Sequence, residues 1–150
     1  MLGAAPQNID AWVIGEHGDF CVPLFSRVKL RGAPVELTAE QQKKAEEFMR
    51  SWYVRHVALG SCRTSTWTTG LGVARMVAAI AYGREDLWPA SVVLAGEYGI
   101  DGVSLGVPVS LGRHGAEEIH EWRITSEERA ALQVAATHVR EATNAINLSI

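Results

Sequence analysis

The alternation of apolar and polar residues changes period several times along this chain, and each change marks an element. In WVIGEHGDFCVPLF, residues 12–25, Val13 and Ile14 end a short strand at Gly15. FSRVKL then alternates apolar and polar residues up to RGAP, where Gly32 and Pro34 predict a turn, so the opening is hairpin-like. In LTAEQQKKAEEFMRSWYVRHVAL the period becomes helical. Thr38 is placed as N-cap with Gln41 three residues on, and Ala45, Phe48, Met49, Trp52 and His56 fall at helical spacing. GSCRTSTWTTG interrupts this pattern with small and hydroxyl residues. Thr69, Val73, Met76, Val77 and Ile80 restore an apolar stripe and predict a second helix over residues 67–81. Its early turns carry Gly70 and Gly72, each costing roughly 1 kcal/mol relative to Ala, which implies that something approaches that backbone closely.

Downstream, SVVLAGEYGIDGVSLGVPVSLGRHGAEEIHEWRI has β-branched runs punctuated by AGEYG, IDG and GRHG. This predicts an antiparallel meander in which EYG shapes a turn and Pro108 favours an edge or a bulge. TSEERAALQVAATHVREATNAI closes the pattern as a helix, with a second capping box from Thr125 to Glu128 and a stripe of Leu132, Ala135, Val139, Ala142 and Ile146. The order strand, strand, helix, helix, several strands, helix predicts an α+β fold with helices packed on antiparallel strands.

Composition narrows the class. At 150 residues one domain is expected, and roughly two-thirds of the unfolded surface can be buried without a disulfide or metal staple. With 47% hydrophobic and 21% charged residues and a net charge of −3, the chain should fold and has no polybasic face for nucleic acid or membrane. Cys21 and Cys62 sit in apolar company, as reduced thiols do. No apolar run approaches the ~20 residues of a bilayer span, and the first ten residues lack a basic leader, so the expectation is a soluble, cytoplasmic protein. No glycine-rich phosphate loop of the GxGxxG or GxxxxGK[ST] kind follows a strand and opens a helix.

Among residues with chemistry to offer, His17 stands out. An imidazole titrates near neutrality, and at the end of a strand beside glycines it can exchange a proton with a substrate. Taken alone, the motif also fits a solvated turn histidine, and Asp19, two residues on, is a weak candidate to orient the ring. A metal site built from Glu16, His17 and Asp19 with another histidine lacks the HxxxH or CxxC pair that zinc sites show. A nucleophile reading of Cys21 or Cys62 has no supporting motif, and GxSxG is absent. His56 reads as a packed core or edge residue, and His114 and His120 as turn and strand-surface residues.

The stretches WVIGEHGDFCVPLFSRV, TSTWTTGLGVARMVAAI, SVVLAGEYGIDGVSLGVPVSLGRHGAEEI and ITSEERAAL, in this order, resemble the C-terminal, substrate-binding half of the L-lactate/malate dehydrogenase family. The likeness runs through nearly the whole chain, and GEHGD followed by a VP dipeptide is specific. The resemblance implies that His17 is the general acid/base that protonates the carbonyl oxygen of a 2-oxo acid as a nicotinamide hydride arrives. It implies further that Ser65 lines the substrate pocket and that Thr69 packs near the nicotinamide of NAD; helix N-capping by Ser65 or Thr66 is compatible with both roles. A homo-oligomer is implied as well.

The family's dinucleotide-binding half, carboxylate-clamping arginine, mobile loop and histidine-orienting aspartate precede the motif in chain order, where this sequence has 16 residues. Arg27, Arg63 and Arg75 do not stand at the clamping position. The expectation is therefore a fragment or separately expressed C-terminal domain over residues 1–150, inactive alone, with the missing N-terminal half as its partner. The competing expectation is a catalytically silent domain with a folding or oligomerisation role. The residue that sorts lactate from malate is absent, and the small Ser65 favours malate.

Overall fold

The computed structural model describes residues 2–61, 66–83 and 86–147. Eight strands and four α-helices are defined among them, and every strand pairing is antiparallel, in agreement with the α+β expectation. A small sheet joins β1 (Ile9–Asp10), β4 (Lys29–Leu30) and β5 (Ala33–Pro34) in the order β1-β4-β5. The main sheet runs β3 (Cys21–Pro23), β2 (Val13–Gly15), β7 (Asp101–Gly112), β6 (Leu87–Ala95), with β8 (Gly115–Ile119) also paired to β7. The helices are α1 (Ala39–Arg50), α2 (Trp52–Ala58), α3 (Thr66–Tyr82) and α4 (Ser126–Asn147).

β7 is the spine, and from Val103 every second residue faces the core. Val103, Leu105, Val107, Val109 and Leu111 are all buried, and they form one core with Leu94 of β6, Ile14 and Val22 of β2 and β3, Ala79 of α3, and Leu132, Ala135 and Ala136 of α4. β7 meets β2 at the pair Gly15↔Gly106 and β8 from Val109↔Ile119 onward. At Gly106 the strands come so close that a Cβ would lie 3.2 Å from the Gly15 carbonyl oxygen. Pro108 sits between these two partners. The expectation of an edge or bulge is corrected here: Pro108 lies in the central strand, opposite Pro89 of β6. Its carbonyl accepts from the His120 backbone N–H at 2.9 Å, so its donor side points away from β6 and the missing N–H costs that pairing nothing.

Three further expectations change. FSRVKL is not one strand: residues Phe25–Arg27 form a 3₁₀ turn, and β4 and β5 make a tight hairpin whose two central residues, Arg31 and Gly32, both have positive φ (52° and 81°). The helix begun at Thr38 divides at Ser51, whose hydroxyl donates back to the Glu47 carbonyl at 2.7 Å, a bond that competes with helix continuation. Its apolar stripe is not core, since no residue of α1 or α2 is buried. In α3 the inward side is Met76, Ala79 and Ile80, while Val73 and Val77 of the expected stripe are exposed. That helix is apolar on more than one face, as helices are when they pack on two sides.

Both capping boxes form. Thr38 accepts from Gln41 N at 3.3 Å while Gln41 Oε1 accepts from Thr38 N at 2.9 Å. At α4, Glu128 N donates to Thr125 Oγ1 at 3.2 Å and Glu128 Oε2 accepts from Thr125 N at 2.9 Å. Glu128 is buried, and its carboxylate also accepts from Ser26 N at 2.9 Å and Ser26 Oγ at 2.6 Å. The EYG turn forms as expected, with Tyr98 in the left-handed region at φ 58°. Its ring is buried, and its hydroxyl accepts from Trp122 N at 3.0 Å and donates to the His120 carbonyl at 3.2 Å.

Two stability predictions arise from these contacts. Glu128→Ala removes a helix cap and leaves Ser26 without its acceptor, and is expected to cost about 2–4 kcal/mol in urea unfolding, with Ser26→Ala near ~1 kcal/mol; a Glu128→Ala loss no larger than that of Ser26→Ala would contradict the role. Gly106→Ala should cost roughly 1–3 kcal/mol by pushing β2 off β7, read as faster amide exchange at Gly15 and Ile14; unchanged protection there would contradict the close approach.

Candidate functional site

The β2–β3 connection carries His17. β2 ends in buried Ile14 and Gly15, and Gly15 turns the chain at φ 92°, a conformation that L side chains rarely adopt. Glu16 then folds its carboxylate back over the loop, and its Oε2 accepts from Phe20 N at 2.9 Å. A Cβ at Gly18 would fall 2.2 Å from Glu16 Oε1, so the glycine keeps the space that this cap occupies. Cys21 N closes the loop onto the Gly18 carbonyl at 3.3 Å, and the Phe20 ring stacks on His138 of α4 at 4.3 Å. The loop is thereby held at both ends while His17 itself is exposed.

His17 lines a cavity of about 680 Å³ between this loop, the α1–α2 junction and the sheet, where Ser91 of β6 and Gly106 of β7 contribute. The junction supplies Met49, Arg50, Trp52 and Tyr53. These are residues that the sequence reading placed on a core stripe or left unassigned. The signal that could have found them is Ser51, a helix-interrupting hydroxyl set between an arginine and two aromatic rings. The Asp19 carboxylate also lines the cavity but makes no hydrogen bond to His17 among the described residues.

The other candidates fall elsewhere. Thr69 is exposed on the first turn of α3 and does not line the cavity. Ser65 lies outside the described residues, as do Cys62 and Arg63. At Gly70 and Gly72 an added Cβ meets nothing within 4 Å, so the close approach expected there does not come from the described residues. Cys21 is a free thiol whose pKa is pushed up by burial, with the Arg50 guanidinium pulling the other way. His56 is half-buried in α2 with its ring 5.8 Å from that of Trp52. His114 is exposed in the β7–β8 turn. His120 Nε2 lies 2.7 Å from Ser110 Oγ and 3.8 Å from the Glu118 carboxylate, so both neighbours meet the same ring nitrogen. Among the described residues no group of three or more His, Cys, Asp or Glu could hold a metal ion, and no helix is long and apolar enough to cross a membrane.

Residues 1–147 match the family model described as lactate/malate dehydrogenase, alpha/beta C-terminal domain. The chain is 42% identical over 131 residues to the malate dehydrogenase of Halobacterium salinarum, covering 87% of this chain and 42% of that protein. It is 33% identical over 147 residues to the malate dehydrogenase of Cytophaga hutchinsonii, covering 97% of this chain and 47% of that protein. Its structure superposes on malate dehydrogenase from Salinibacter ruber with a TM-score of 0.86 at 28% identity, over 97% of this chain and 48% of that one. The fold is shared with Cryptosporidium parvum malate dehydrogenase at a TM-score of 0.88 and 21% identity, over 97% of this chain and 49% of that one. The chain thus spans less than half the length of these relatives. It belongs to the lactate/malate dehydrogenase family, as its C-terminal domain.

Proposed function

We propose that residues 1–150 form the substrate-binding and catalytic half of an NAD-dependent 2-hydroxy acid dehydrogenase of the malate type, with His17 as its general acid/base. The observation that carries this reading is the exposed histidine of GEHGD, held at the mouth of a cavity by a loop capped at Glu16, in a chain of this family. The names of the relatives favour malate over lactate.

His17 holds a proton on its imidazole and gives it to the carbonyl oxygen of the 2-oxo acid; in the reverse direction the neutral ring takes the hydroxyl proton. An imidazole suits both directions because its charged form donates a proton and its neutral form accepts one. Gly18 leaves room for the Glu16 carboxylate, and that cap fixes the loop that carries the ring. NAD, when bound, supplies or takes up the hydride at its nicotinamide ring.

The described residues suit one end of that cofactor. Beside Thr69, the open backbone at Gly70 and Gly72 leaves room for a flat ring, and by the register with the family motif we assign Thr69 to the nicotinamide side and Ser65 to the substrate side. At the N-termini of α1 and α4 the capping boxes take up the N-cap and N3 N–H groups. We assign phosphate binding and the clamp for the first carboxylate to a dinucleotide-binding half. The exposed apolar side chains of the α1–α3 region, among them Trp52, Tyr53, Val57, Leu71, Val73 and Val77, support a covering partner or oligomer there.

In the enzyme assembled with such a half, His17→Asn is expected to lower the rate of oxaloacetate reduction at least ~10²-fold while NADH still binds. Initial rates from pH 5 to 9 beside an NADH fluorescence titration check this. Near-normal turnover would refute the role of His17, whereas an unaltered assembled enzyme without turnover would favour the silent-domain reading.

A further inference from the structure

The loop that carries His17 has two feet, Gly15 and Phe20, and α4 touches both. At the first foot a Cβ on Gly15 would lie 3.5 Å from Leu132 Cδ1. At the second, the Phe20 ring stacks on the His138 imidazole at 4.3 Å, with the planes 28° apart. Positions 132 and 138 lie about 9 Å apart along a helix axis, so α4 spans the loop from one foot to the other. The two contacts differ in kind. Leu132 is fully buried, whereas Phe20 and His138 are both exposed, so their stack adds little to the core. What it holds is Phe20, whose N–H donates to the carboxylate of Glu16, the residue directly before His17, at 2.9 Å. The other described ring contacts, Trp12 with Trp122 and Trp52 with Tyr53 and His56, do not involve this loop.

We propose that His138 is a positioning residue for His17: its imidazole holds the Phe20 ring, Phe20 holds the Glu16 cap, and the cap sets the pose from which His17 exchanges its proton. This rests on the proposed role of His17 as general acid/base. His138 acts on the backbone of the loop and not on the His17 ring, so its part is distinct from that of a carboxylate that orients the imidazole. The contact asks only for a flat ring, because the attraction between stacked rings comes from dispersion and ring quadrupoles. Misplacing a proton donor by about 1 Å slows the chemical step, so the effect of a loosened loop belongs in kcat.

His138→Ala deletes the ring without weakening α4, because alanine is the better helix former, and His138→Phe keeps a flat ring in its place. In this 150-residue chain, amide exchange at Phe20 and Cys21, whose N–H groups bond to Glu16 and to the Gly18 carbonyl, reads the closure of the loop. His138→Ala is expected to speed that exchange about two- to tenfold, the worth of one aromatic pair, and His138→Phe to restore it. Val134→Ala, which trims an exposed side chain elsewhere on α4, should leave it as it was. In the enzyme assembled with a dinucleotide-binding half, His138→Ala should lower kcat for oxaloacetate reduction by about the same factor at unchanged KM for NADH, with recovery in His138→Phe. Phe20→Ala should act the same way, and adding His138→Ala to it should cost nothing further. Unchanged exchange in His138→Ala, no recovery in His138→Phe, or a kcat that stays level while exchange rises would each overturn the inference. Exchange involves no turnover, so the stack can prove idle while His17→Asn still abolishes catalysis, and His17→Asn can leave the rate intact while the stack still closes the loop.

Discussion

The carboxylate of Glu128 ties the two halves of this chain together. It closes the N-terminus of α4 by accepting from Thr125 N, and with its remaining capacity it holds both donors of Ser26, 102 residues earlier in sequence. A carboxylate taken out of water this far is costly unless its oxygens are satisfied, and here they accept three hydrogen bonds. The tie fixes the start of α4 against the turn that follows β3. From that fixed start, α4 carries Leu132 to the back of Gly15 and His138 to the ring of Phe20. The loop bearing His17 is thus braced by a helix whose own position depends on one buried acid.

The other brace is the approach of β2 to β7. Two glycines face each other at Gly15↔Gly106, and the 3.2 Å clearance left for a Cβ shows that no larger residue fits without moving a strand. β7 then changes partner within two residues, from β2 at Gly106 to β8 at Val109, and Pro108 occupies the step between them. A residue without an N–H is well placed where a strand passes from one neighbour to the next. The same passage places Gly106 in the lining of the cavity that His17 also lines.

The helical region from α1 to α3 follows a different logic. α2 and α3 are rich in apolar residues, yet among the described residues of the region only Ala79 is buried. Apolar surface of this extent, broken by Arg50 and the hydroxyl of Ser51, suits a face with both a covering partner and a polar ligand. In relatives about twice as long as this chain there is further protein to meet such a face.

Local chemistry made much of this legible from the sequence. Both capping boxes, the EYG turn and the antiparallel meander formed as read, because each is set by residues within a few positions of one another. His17 was singled out differently, because the motif alone fits a turn histidine and only the resemblance along the chain gave it a catalytic role. The direction in which a helix presents its apolar stripe was decided only by tertiary structure. Periodicity shows that Phe48, Met49 and Trp52 share a side, but whether that side meets a sheet or a cavity depends on contacts far away in sequence. The position of Pro108 in a central strand, the second bond partner of Glu128 and the convergence of Arg50 with His17 are likewise properties of the assembled sheet. They join residues from 12 to 102 positions apart, and no local pattern encodes them.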